Sequence, residues 1–115
     1  MTNALREAWV SELKSGKYKQ TFGRLKAGED CYCALGVLCH VLKTQFPEVL
    51  YKNNITINEQ SHDMVVSSDQ WNAFAQLMYE LGFNIATQST IVEANDRKRM
   101  SLPEIGAMIE GIGRT

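Results

Sequence analysis

Cys31-Tyr32-Cys33-Ala34-Leu35-Gly36-Val37-Leu38-Cys39-His40 decides the fold, because it holds the longest apolar run of the chain. The run is far shorter than the ~18 residues a membrane span needs. It lies between a turn signal, Ala27-Gly28-Glu29-Asp30, and Pro47, which predicts a helix over residues 33–44 that stops before the proline. At about 100° per residue, Ala34, Leu35, Leu38, Val41 and Leu42 share one broad face. Gly36, His40 and Lys43 fall opposite, with Cys33 among them and Cys39 on the border. A helix apolar over most of its circumference belongs at the centre of a domain.

Elements on either side supply amphipathic partners. Leu5, Trp9 and Leu13 form a stripe on a first helix capped by Asn3 and ended by Gly16. Residues 17–25 read as an extended segment. Ile55 and Ile57 alternate with Asn54, Thr56 and Asn58, a strand period, and Met64-Val65-Val66 pairs with them across a turn at 59–62. Ser67 and Gln70 stand at capping-box spacing before a stripe of Trp71, Phe74, Ala75, Met78 and Leu81, with Gly82 as the stop. A short helix over 89–94, a charged turn over 95–99 and a last helix from Ser101 through Ile112 complete the chain. The expectation is a single α+β domain over 1–115: about four helices (4–15, 33–44, 69–81, 102–112), the second central, with one or two short antiparallel hairpins.

Composition agrees with one globular domain: 115 residues, 44% apolar and 22% charged. Net charge is −1, which argues against a globally basic nucleic-acid binder. The charge is uneven, near +4 over residues 1–28, −3 over 29–64 and −2 over 65–115. Three cysteines within nine residues do not form a disulfide framework, and no apolar leader opens the sequence, so reduced thiols in a cytosolic setting are expected.

Several constellations carry chemistry. Cys31, Cys33, Cys39 and His40 are metal-ligand types, but Cys33 and His40 stand two helical turns apart, roughly 10 Å, too far for one tetrahedral ion. No metal and no cofactor are therefore expected. Cys33 in the first turn of a helix is a candidate nucleophile, and it needs a base, for which His62 beside Asp63 is the candidate. The alternative is a small buried thiol. Gly36 either admits a close approach of another segment or opens the helix surface to a ligand over Cys33 and His40. Lys14, Lys17, Tyr18, Lys19, Gln20, Arg24 and Lys26 combine cations, an aromatic ring and an amide, a set suited to phosphates or an acidic protein surface, or merely to solvent. The tail resembles a helix–turn–helix in outline. Its last helix carries two glutamates and no cation, which disfavours DNA reading; only Arg97-Lys98-Arg99 before it is basic.

Tyr32-Cys-Ala-Leu-Gly-Val-Leu-Cys39 resembles the Tyr-Cys-Cys-Leu-Gly-Val-Leu-Cys core helix of a family of small proteins from tailed phages and prophages. The likeness extends to the Trp9–Leu13 helix, to Ser15-Gly-Lys-Tyr18, to Gln20 with Gly23-Arg-Leu25, to Asn95-Asp96 and to Ser101-Leu-Pro-Glu-Ile105. The chain departs at Ala34, where a second cysteine is common, and at His40, where an acidic residue is common. The resemblance implies a phage or prophage origin and action in the bacterial host cytoplasm. With no complete catalytic set, the expected function is a non-enzymatic accessory protein that binds and neutralises a host component. Two forms are inhibition of a host protein and sequestration of a phosphate-bearing, nucleotide-like signal. The contact residues expected are Lys17, Tyr18, Lys19, Gln20 and Arg24, with Gly36 and His40 as a second patch. The competing readings are a cysteine hydrolase through Cys33 and His62, and a DNA-binding regulator through the C-terminal helices. No membrane contact is expected, and a homo-oligomer is left open.

Overall fold

Around the apolar run the expected central helix forms. The computed structural model describes residues 2–112, with helix α2 (Ala34–Gln45) at its core and Ala34, Val37, Leu38, Cys39, Val41 and Leu42 all buried. Cys33 is not in the first turn but is the N-cap, extended at φ −84°, ψ 176°, its Sγ accepting from the Gly36 N–H. Helix α1 (Thr2–Lys14) buries Leu5, Trp9, Val10 and Leu13 and packs against α2 and against α6 (Leu102–Gly111). Trp9 Nε1 donates to the Ala34 carbonyl at 2.9 Å, locking the two helices in register. Asn3 lies inside α1 rather than at its cap.

The α+β class holds, with six helices among the described residues instead of about four. Pro47 stops α2 but also starts α3 (Pro47–Lys52), because the first helical position has no use for an N–H. Helix α4 (Trp71–Glu80) follows a single 3-10 turn (Ser68–Gln70). Ser67 makes no cap hydrogen bond there. Gln70 instead accepts from the Thr56 N–H through Oε1, at 2.7 Å, which joins this turn to the hairpin. Gly82, at φ +101°, ends α4 as expected. Helix α5 spans Ile85–Asp96, longer than the 89–94 read from sequence, with Asn84 capping the Thr87 N–H. The Ser101–Glu104 capping box of α6 is formed in both directions.

The sheets are small. Strands β3 (Ile57–Glu59) and β4 (Met64–Val66) form the expected antiparallel hairpin, Ile57 opposite Val66. The 17–25 segment is a strand only at β1 (Lys19–Gln20), which pairs in parallel, not antiparallel, with β2 (Cys31–Tyr32). Between them the chain loops out and returns, so that Lys26 also bridges Tyr32 in antiparallel fashion.

Arg6 was invisible in the sequence pattern and is buried at 7% exposure. Its guanidinium donates to the carbonyls of Leu81, Ile109 and Ile112 and lies 4.7 Å from the Phe83 ring centre. One cation thus satisfies the C-terminal ends of α4 and α6, where the helix dipole favours positive charge. No helix among the described residues is long and apolar enough to cross a membrane.

Candidate binding site

The loop between β1 and β2 crosses the N-terminus of α2, and one side chain fixes it there. Asn95, at the end of α5, is 2% exposed. Its Oδ1 accepts from Gln20 Nε2 at 2.9 Å and from the Ala34 N–H at 3.2 Å. Its Nδ2 donates to the Thr21 carbonyl at 3.0 Å and to Asp96 Oδ1 at 2.8 Å. Both donors and both acceptor positions of the amide are thereby used. Gln20 also donates to the Met100 carbonyl at 2.7 Å, and the Gly23 N–H donates to Asp96 at 2.9 Å. Asn95-Asp96 and Gln20 with Gly23 are therefore a single node that holds the loop, the start of α2 and the end of α5 together.

Beside this node lies a hollow of about 220 Å³, bounded by Arg24, Leu25, Leu35, Trp71, Val92 and Asp96, among others. Leu35, Trp71 and Val92 also line a wider groove of about 590 Å³, which Phe74, Met78 and Ile85 continue between α4 and α5. Trp71 is 39% exposed and Ile85 78%, unusual for large apolar side chains that line the same groove. The two spaces form one apolar channel with an arginine at either part, Arg24 in the hollow and Arg97 in the groove.

A second, polar cluster centres on Glu59. Its carboxylate accepts from Lys26 Nζ at 2.8 Å and from the Tyr32 hydroxyl, and His40 Nδ1 lies 3.2 Å away and Lys43 Nζ 3.8 Å. Burial opposes its ionisation, but the hydrogen bonds from Lys26, Tyr32 and His40 outweigh that and draw the carboxyl down to about 2. Tyr18 packs edge to face against Tyr32 and His40 around it, its ring centre 5.3 Å from that of Tyr32 and 5.9 Å from that of His40. The Tyr18 hydroxyl donates to Glu12 at 2.6 Å. Burial first, then these carboxylates, push both phenols upward, so both stay protonated near neutral pH.

The expected contact residues are thus dispersed. Tyr18 and His40, placed in separate patches by the sequence, meet at the Glu59 cluster. Lys17 is exposed and pairs with Glu12 at 3.1 Å, and Lys19 is exposed on β1. Gln20 points into the Asn95 node. Arg24 is exposed, 4.0 Å from Asp63, and lines the hollow. Gly36 lies beneath Leu25: a Cβ there would stand 1.9 Å from the Leu25 carbonyl oxygen, so the glycine serves close approach.

Cys33 and His62 are not brought into a hydrogen bond among the described residues. Cys33 is 8% exposed, its sulfur bonded to the Gly36 amide, and burial pushes its thiol up; His62 is exposed beside β4. Cys39 is fully buried and pushed up further by burial. Among the described residues no three His, Cys, Asp or Glu side chains converge as metal ligands. The thiols give a direct check. In native protein treated with iodoacetamide, half-buried Cys31 should react first, while Cys33 and Cys39 label only on unfolding. Labelling of native Cys33 as fast as a free thiol would contradict this geometry.

Fold and site define a small α+β domain with a polar cluster on one segment and an open apolar channel on another. The chain belongs to the family described as Domain of unknown function (DUF8296), whose model matches residues 1–112. No curated protein and no solved structure matches it.

Proposed function

We propose that the protein is a non-enzymatic binding module that captures and neutralises a protein of a bacterial host, a phage accessory protein of the counter-defence type acting in the host cytoplasm. The phage and host elements rest on the resemblance of the core helix. The observation that carries the binding reading is the channel of Leu35, Trp71 and Val92, which is mostly apolar, open, and walled by α2, α4 and α5 with the β1–β2 loop at one end. Such surfaces anchor protein partners through aromatic and arginine side chains, here Trp71 and Arg24.

Two observations favour a protein partner over a sequestered nucleotide. Lys17 and Lys26 are paired with carboxylates at 3.1 and 2.8 Å, which lowers their pull on phosphates. The lining of the channel is mostly hydrocarbon, which suits apolar side chains. A hydrolase reading needs an activated thiol, and Cys33 is held as a protonated helix cap.

Tagged wild type and a Trp71→Ser/Val92→Asp variant, each incubated with bacterial lysate, test the reading. Trp71 is 39% and Val92 38% exposed, so a melting curve recorded beside the binding shows that the variant is folded. The expected result is a host protein retained by wild type and lost from the variant. Equal retention by both, or a nucleotide released by heating wild type with no protein bound, would overturn the proposal.

A further inference from the structure

We infer that the segment seated in this channel is acidic as well as apolar, a peptide whose hydrophobic side chains enter the groove and whose carboxylates meet Arg24, Arg97, Lys98 and Arg99. The inference rests on the channel reading above and adds the partner's chemistry. These four cations come from two stretches more than seventy residues apart in sequence. The structure joins them: Gly23 bonds to Asp96, Thr21 to Asn95, and the Arg99 guanidinium lies 4.5 Å from the Phe22 ring centre. All four are exposed.

Their local counter-charges are weakly held or already hydrogen-bonded to amides. Arg97 is 3.8 Å from Glu93 with both side chains more than half exposed, and Arg24 is 4.0 Å from an equally exposed Asp63. Pairs of that kind are worth little in water and exchange readily for a better partner. Asp96 accepts from the Gly23 and Asn95 amides instead. The result is a basic rim on a chain whose net charge is −1, so the patch does not follow from overall composition.

The rim and the apolar surface are continuous, since Arg24 lines the hollow and Arg97 the groove. A nucleic acid would satisfy the cations and leave Trp71, Ile85 and Val92 uncovered. A peptide carrying both carboxylates and apolar anchors covers both. Rim charges of this kind chiefly speed association and make it salt-dependent, while buried anchors hold the complex.

A random peptide library selected on the full-length protein tests this. Peptides enriched on wild type should carry Asp or Glu next to Leu, Ile, Phe or Trp. Trp71→Ser should weaken them about tenfold or more. Arg97→Glu/Lys98→Glu should weaken them about tenfold at low salt and much less at high salt. Melting temperatures confirm that both variants are folded. If Trp71→Ser releases the peptides and the charge reversal does not, the channel stands and the acidic partner falls. If neither variant matters, or no selected peptide depends on Trp71, both fall. Displacement of the selected peptides by a short single-stranded oligonucleotide, with direct binding of that oligonucleotide, would also overturn the inference in favour of a nucleic acid.

Discussion

Gly36→Ala is expected to destabilise the protein by about 3 kcal/mol. Propensity alone predicts the opposite sign, since alanine is the better helix former by ~1 kcal/mol. The steric term decides. The new Cβ would sit 1.9 Å from the Leu25 carbonyl oxygen and 2.9 Å from its carbon, both backbone atoms. That carbonyl cannot simply swing aside, because it accepts the Cys33 N–H at 3.1 Å. Nor can the loop lift away freely, because Gln20, Thr21 and Gly23 are bonded to the Asn95-Asp96 node. Urea unfolding reads the effect as a lower midpoint with a similar slope. A Gly36→Ala protein with the wild-type midpoint would mean that the loop does not lie on α2 as described.

Glu59→Ala is expected to cost about 3–5 kcal/mol, because it removes one partner of a buried ion pair and strands the other. Lys26 is 6% exposed, and its ammonium has Glu59 at 2.8 Å. The Tyr32 hydroxyl loses its acceptor at the same time. The same contacts set an acid response. A carboxyl held near 2 in the folded protein, against an ordinary 4.5, stabilises the fold fully above about 4.5 and loses that contribution as pH falls towards 2. Wild type should therefore lose stability more steeply than Glu59→Ala across that window. Parallel acid-unfolding curves for the two proteins would contradict the assignment of Glu59 as the hub of the cluster.

Much of the frame was legible in the sequence, and the reasons are specific. The helix over Ala34–Gln45 announced itself by an apolar face too broad for a surface helix, and the Ser101–Glu104 box by its spacing. The β3–β4 hairpin followed from the alternation around Ile55 and Ile57. Helix α3 was missed because Pro47 reads equally as a stop and as a start. The full length of α5 was missed because its buried residues, Ile91, Ala94 and Asn95, give no strong stripe. The parallel β1–β2 pair has two residues per strand, too few to show any period.

The candidate site was less legible, because its groups are distant in sequence. Nothing local links Lys26 to Glu59 or Arg6 to the ends of α4 and α6. Asn95-Asp96 stood out only through a family resemblance, and its work as a hydrogen-bond node needs the coordinates. Trp71 carried a signal that could have been used: it is the first residue of its stripe, the position where a helix emerges from the core and an aromatic stays partly uncovered. Arg24 was singled out from its own stretch, but its neighbours Arg97, Lys98 and Arg99 became visible only once the loop was placed against the end of α5.

Hydrogen exchange of the complex with the captured host protein tests the central claim most directly. Binding in the channel predicts slowed exchange in residues 71–78 and 85–97, with little change at residues 17–20 and 40–43. Protection confined to 17–20 and 40–43, with 71–78 and 85–97 exchanging as in the free protein, would place the partner on the Glu59 side and contradict the account.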